Sequence, residues 1–295
     1  MRWRIGGTFV ALCILWGLPY FFIKIALTEV PPVCVAWARV TLGAAVLLPL
    51  AWHRGALAAL GRHKRAVCAF ACAELIGPFF LIALGERWVS SSLTGILIAT
   101  VPLVVILCGP LFGVHERLSM RRLLGLAIGL GGVVALLGFD TVHGELGWIG
   151  VACVMVSTVG YALGSLIIQR HLAAVDEMGA VAASLGVACV ALAIPALLSL
   201  PPRMPSATVL ASMAVLGVVC SALALSLYFY LVSQVGAARA SVITYVNPAV
   251  AALLGVLLLH EPFGPGAVLG LGLILLGSWM ATHGRPPAQA GSSAA

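Results

Sequence analysis

Charge is what this chain has least of: charged residues fill 8% of its 295 positions, while 62% are hydrophobic. A soluble domain carries roughly 25% charged residues because its surface must be wetted. An ordinary water-soluble fold is therefore excluded, and the solvent for most of this chain is lipid. Histidine is missing from the apolar runs, all seven falling in expected loops, so no imidazole is available to bind metal inside the membrane. There is no HExxH, no GxSxG and no GxxxxGK loop, which removes the zinc-protease, serine-hydrolase and P-loop chemistries. No cofactor is expected, and the loops are too short to hold a nucleotide domain. Paired CxxC cysteines are also lacking; the eight cysteines sit in or beside apolar runs, where cysteine packs as a small hydrophobe. The net charge of +7 is not gathered into a stripe or tail, so nucleic acid is not an expected partner.

What is present is a series of long apolar segments. A crossing needs about 20 largely apolar residues, and the sequence predicts helices near 5–27, 33–52, 66–84, 91–113 and 122–139, then 146–169, 179–200, 207–232, 237–259 and 265–281. Pro31-Pro32, Pro201-Pro202 and Gly264-Pro265 punctuate the joints. Met1 to Arg4 could open a signal peptide, but no convincing cleavage site follows, and Trp16, Pro19 and Lys24 suit a retained helix. The Gly-, Pro- and Ala-rich stretch 284–295 is expected to be a disordered cytoplasmic tail.

Orientation follows the bias of lysine and arginine toward cytoplasmic loops. One set of connections carries Arg2, Arg4, Arg54, Arg62, Lys64, Arg65, Arg117, Arg121, Arg122, Arg170, Arg239 and Arg285; the other carries Arg87 and Arg203. Twelve against two puts both termini in the cytoplasm of a multi-pass protein of the cell (inner or plasma) membrane.

Displacing the sequence by 145 positions overlays its halves: Glu116 on Glu261, Gly125 on Gly270, Gly132 on Gly277, Trp16 on Tyr161 and Lys24 on Gln169, with Pro102 meeting Pro248 after a one-residue slip. Five helices per half make the second half enter from the opposite side. The expected fold is an all-α membrane protein of ten transmembrane helices, built as two inverted five-helix repeats over 1–143 and 144–283. Such repeats recur in secondary transporters, where one central site opens to either side in turn.

The pattern Trp16-Gly17, Lys24, Ala26-Leu27, Pro31-Pro32 and Arg39, followed by Ser91 to Pro102, Glu116-Arg117-Leu118-Ser119 and Gly125, closes again as Gly236 to Pro248, Glu261-Pro262 and Gly270. These residues resemble the drug/metabolite transporter superfamily, and within it the EamA family, over about residues 5–281. The resemblance implies ten helices around a central cavity and, usually, export of amino acids or related metabolites. The second half lacks a Trp-Gly pair, has Gln169 in place of a lysine and has no counterpart of Arg39, so a site built on those side chains is asymmetric.

Ionisable groups inside a bilayer cost roughly 2.5–3.5 kcal/mol each on insertion scales and mark function by default. Three lie well inside a span: Lys24, Arg39 and Glu74. Lys24 can instead snorkel to the outer interface, Arg39 can pair with a carbonyl or headgroup, and Glu74 can pair with Arg39. Pro78 crowds the Glu74 carbonyl four residues earlier. Pro102 and Pro248 interrupt helices at matched positions, the best sequence pointer to a transport site. Trp16, Tyr20 and Lys24 share a face of one helix, Ser157, Tyr161, Ser165 and Gln169 a face of another, and Ser241, Thr244, Tyr245 and Asn247 cluster by the second proline. Gly125-xxx-Gly129 and Gly266-xxx-Gly270 are small-residue faces suited to packing the halves together within a monomer, the preferred reading, or to joining two copies as a homodimer. The expected partner is a zwitterionic or anionic small molecule, with a coupling proton possible at Glu74. A lipophilic-cation (multidrug) exporter is the alternative, and a structural or sensory membrane protein a remote one.

Overall fold

The computed structural model describes residues 2–114, 120–138, 144–261 and 264–282; Glu116, the loop around His143 and the tail from residue 284 lie outside the described residues. Every regular element among them is helical. Seven helices are long and apolar enough to cross a membrane: α1 Trp3–Ala26, α2 Pro32–His53, α3 Lys64–Gly85, α4 Ser91–Phe112, α6 Leu146–Leu172, α7 Glu177–Leu197 and α8 Ala207–Val235. The others are α5 (Met120–Gly138), the broken α9 (Ala237–Ala240, Ser241–Tyr245 and Asn247–Leu259) and α10 (Pro265–Thr282). Large apolar side chains such as Leu107, Val134, Val190, Ile194 and Leu257 point outward, as a lipid-facing surface demands. Trp3, Trp52, Trp148 and Trp279 are exposed near helix ends, where tryptophan anchors a protein at the membrane interface.

Several helices expected to be continuous are interrupted, and the causes are local. In α1 the chain tightens at Leu15–Leu18: Gly17 donates to the carbonyl of Ile14, three residues back, before helix resumes at Pro19, whose missing N–H is harmless at a first turn. Gly17 is also where α1 meets α9, since a Cβ there would overlap Val250. Wide π-type turns occupy Ala71–Ile76 in α3, Ile168–Leu172 in α6 and Val215–Leu223 in α8. In α3 the Gly77 amide reaches five residues back to Cys72, immediately before Pro78, whose ring and missing N–H disfavour a regular turn.

Helices α5 and α10 pack on each other through glycine. A Cβ at Gly277 would overlap the backbone of Gly125 and Gly129, and one at Gly132 would meet Gly270 and Ile274. The small-residue faces therefore serve internal packing between these helices. His53 and His171 end helices rather than sitting in loops, and both are exposed.

Candidate functional site

A cavity of about 560 Å³, including its mouth, lies between α1, α2, α3, α4, α6, α8 and α9. Its aromatic wall is Trp16, Tyr20, Phe79, Tyr161 and Tyr228, and its polar groups include Arg39, Glu74, Thr244 and Asn247. The lining suits a small molecule held by a few oriented polar groups on an apolar wall.

Arg39 is 4% exposed, which for a guanidinium in a membrane protein requires partners. Its Nε donates to Ser221 Oγ at 2.6 Å, one terminal nitrogen reaches the Cys220 carbonyl at 3.4 Å, and its plane lies 3.6 Å over the ring centroid of Phe79. The wide turn of α8 presents the Cys220 carbonyl and the Ser221 hydroxyl to it. A guanidinium has five N–H donors, so these two bonds leave donating capacity on the side chain that lines the cavity.

Glu74 is 2% exposed and sits in the wide turn of α3. Its Oε2 has no hydrogen-bond partner. Two glycines of α6 make room for this arrangement: a Cβ at Gly164 would overlap the Glu74 carboxyl, and one at Gly160 would overlap Pro78 and the Ala73 carbonyl. The structure thus does not spend Glu74 on a hydrogen bond to Arg39; it brings a carboxylate and a guanidinium to the same cavity and leaves both able to bind.

The two proline breaks flank this space. In α4 helix ends at Ile98 and restarts at Val101, with Ala99 donating to Ile96, Thr100 to Leu97 and Leu103 to Thr100, each three residues back. In α9 the same tightening brings Val246 to Ile243 and Ala249 to Val246. Pro102 and Pro248 are both buried, and Ile98 and Thr244, four residues before them, line the cavity. Asn247, with its amide nitrogen turned to the acceptors around it, donates to the carbonyls of Ile243 and Cys13, both at 3.1 Å, and so ties the break to α1. Restoring the helical bond should straighten each rod away from the cavity. Pro102→Ala and Pro248→Ala are expected to insert and fold while slowing transport, the double variant more than either single one. Unchanged rates in the double variant, measured on reconstituted protein, would separate the breaks from the site.

Other expected site residues lie elsewhere. The Lys24 ammonium donates to the carbonyls of Glu86, at 2.5 Å, and Val89, at 2.8 Å, fastening α1 to the α3–α4 turn instead of lining the cavity. Gln169 lines a second cavity of about 620 Å³ with Val105, Ile106, Val235 and Arg239, and its Oε1 accepts from the Ala237 amide at 2.9 Å. The side chain of Tyr245 is outside the described residues; its backbone ends the tight segment before Pro248. Ser165 Oγ and Tyr228 Oη are 2.6 Å apart, and the Tyr228 ring packs on Trp16 at 4.4 Å. Along α6, Ser165 falls between Tyr161 of the first cavity and Gln169 of the second.

Two members of the site, Tyr228 and Ser221, and a buried carboxylate outside it, Glu86, are not among the residues expected from the sequence. Ser221 and Tyr228 lie seven positions apart on one helical face, a spacing obscured by Ser226, Tyr230 and Ser233 in the same run. Glu86 lies beyond the span expected at 66–84, yet it is 1% exposed. A signal for it existed: Glu74, Pro78, Ile82 and Glu86 continue at intervals of four, the spacing that marked α1 and α6.

The profile of the EamA-like transporter family matches this chain twice, over residues 5–138 and 148–282. The uncharacterized inner membrane transporter YedA of Escherichia coli K12 is 30% identical over 300 residues, spanning 97% of this chain and 94% of that protein. The uncharacterized transporter YoaV of Bacillus subtilis 168 is 22% identical over 277 residues, covering 92% and 94%. A solved crystal structure superposes with a TM-score of 0.70 at 21% identity, covering 93% of this chain and 95% of the other, a likeness of fold alone.

Proposed function

The chain belongs to the EamA-like transporter family, and from that premise we propose that it is a secondary transporter moving small zwitterionic metabolites, amino acids first among them, across the inner membrane by alternating access. Membership makes it a membrane transporter rather than an enzyme. The observation that carries the substrate class is the pairing in one cavity of a buried guanidinium with spare donors and a buried carboxylate with an unpartnered oxygen. A substrate carboxylate docks on Arg39 and an ammonium group on Glu74, each neutralising a charge that burial makes costly. The aromatic wall covers the side chain, and Arg39 repels the lipophilic cations that a multidrug exporter carries.

In this reading the chain crosses ten times as two inverted halves, with both termini cytoplasmic and export as the working direction. Wide turns at Ala71–Ile76 and Val215–Leu223, which overlap when the first is displaced by 145 positions, support the repeat, as do the proline breaks at Pro102 and Pro248. The second cavity then faces the cytoplasm, beside the Arg170–Arg239 end, and the Ser165–Tyr228–Trp16 contact separates it from the substrate.

The test is uptake and counterflow of a radiolabelled mixture of the standard amino acids in proteoliposomes, with tetraphenylphosphonium as the competing probe. Saturable amino-acid flux is the expected result. Flux of tetraphenylphosphonium alone would overturn the reading in favour of the lipophilic-cation exporter.

A further inference from the structure

A second buried carboxylate lies outside the substrate site just described. Glu86 ends α3 at the turn toward α4; it is 1% exposed, and neither carboxyl oxygen has a hydrogen-bond partner. It is held there by its own backbone: its carbonyl and that of Val89 receive the Lys24 ammonium. The charged and titratable groups that face it are Lys24 and Tyr20 from α1, Arg39 from α2, Tyr161 from α6 and Glu261 from the turn after α9. None of these donates to its carboxyl.

A carboxylate sealed from water with no donor is the most costly arrangement a side chain can adopt, several kcal/mol even after relaxation. Two occupants remove that cost, a proton or a metal cation. An alkali or alkaline-earth cation needs about six or more oxygen ligands. The carbonyls of Glu86 and Val89 already hold the Lys24 ammonium. Among the described residues there is also no group of three metal-binding side chains. A proton needs no further ligand.

We propose that Glu86 is the proton-carrying group of this transporter, loaded in the conformation seen here and discharged to the external side when the α3–α4 turn opens. On discharge the O–H bond breaks, the proton passes to external water, and the carboxylate left behind has Lys24 as its nearest cation. Drawing that ammonium off the two carbonyls frees the turn that leads into α4, so loss of the proton and movement of the helix are one event. The position fits this role: Glu86 is three to four turns of α3 from Glu74, near enough to share Arg39 as a neighbour and far enough to leave the substrate groups alone. The role rests on the transport reading above, and the experiment has one arm that does not.

That arm is infrared titration of the purified full chain without substrate. Wild-type protein should show a protonated carboxylic-acid carbonyl stretch that Glu86→Gln removes, that Glu86→Asp shifts, and that Glu74→Gln leaves in place. If no part of the band depends on Glu86, the carboxyl is ionised and the proposal falls. The second arm uses the radiolabelled amino-acid mixture in proteoliposomes. In Glu86→Gln the response of flux to an imposed pH gradient should be lost while counterflow, which needs no net proton movement, is retained. A retained gradient response overturns the proposal. So does equal loss of counterflow in Glu86→Gln and in Glu86→Asp, because Glu86 would then belong to the substrate site or to the fold. Should wild-type protein carry no amino acid, the substrate reading fails and the infrared arm still decides the proton site.

Discussion

Replacing Glu74 with Gln is expected to weaken the apparent affinity for the transported zwitterion by about 100-fold, with insertion and folding preserved. Removing one partner of a desolvated charge pair costs about 2–5 kcal/mol, and each 1.4 kcal/mol is about tenfold in affinity. Gln keeps the size and one carbonyl oxygen, so the cradle of Gly160 and Gly164 stays filled and the loss falls on the ammonium contact alone. Arg39→Lys should lose a comparable factor for a different reason. A lysine cannot hold Ser221, reach the Cys220 carbonyl, stack on Phe79 and present a flat donor edge to a carboxylate at once. The two substitutions separate by ligand: decarboxylated amines should be rescued relative to amino acids in the Arg39 variant, and deaminated carboxylates in the Glu74 variant. Competition by such analogues against the labelled mixture measures both. If both variants lose affinity for every analogue equally, the pair maintains the fold and does not bind the ends of a zwitterion.

The all-helical, membrane-spanning character of the chain was legible in the sequence because lipid leaves little freedom: a run long enough to cross, outside a closed barrel, must be helical. Hydropathy could not foresee the breaks within the rods. The wide turns at Ala71–Ile76 and Ile168–Leu172 depend on how neighbouring helices stabilise a strained backbone, and nothing local announces them except Pro78. Of the site, Arg39, Glu74 and the prolines were visible because burying charge or breaking a helix in lipid is costly, and such residues stand out against an apolar background. The same rule does not mark Glu86, which lies two residues past the span expected at 66–84. Lys24 is the reverse case: an unusual residue in the right helix, committed to two carbonyls that only the three-dimensional turn at residues 86–89 provides. Ser221 acquires its role from a residue 182 positions earlier, and no pattern in one sequence can signal such a contact.

Glu261→Ala is expected to speed labelling of the cavity from outside by about 150-fold. The Glu261 carboxylate sits on the N-terminus of α4, accepting from the Ser91 amide at 2.8 Å, the Ser92 amide at 3.0 Å, and the Ser91 and Ser92 hydroxyls at 2.9 and 2.7 Å. Ser90 Oγ takes the next amide, Leu93, at 3.0 Å, so the opening turn of α4 is fully engaged. The contact is close because α9 ends in a left-handed residue, His260, and the Glu261 amide turns back to the Gly255 carbonyl, where no side chain would fit beside the two serines. On the same face Glu29 accepts from the Ser206 amide at 2.6 Å, which holds its carboxyl below the ordinary range and ties α8 to the α1–α2 turn. A hydrogen bond to a charged group contributes about 1.5–3 kcal/mol, and a carboxylate at a helix N-terminus adds the favourable dipole. Water replaces part of this once the clasp opens, so a net of about 3 kcal/mol is a fair expectation, or roughly 150-fold in the closed-to-open ratio. The probe is a cysteine at Ile82 in a cysteine-free background, treated with a membrane-impermeant maleimide on sealed vesicles of known sidedness. Ile82 lines the cavity and is 1% exposed, so its rate reports opening and little else. Equal rates with and without Glu261 would mean that α4 and α9 are held by their packing at Gly95 and Ala251 alone, and that the clasp shapes the fold without governing access.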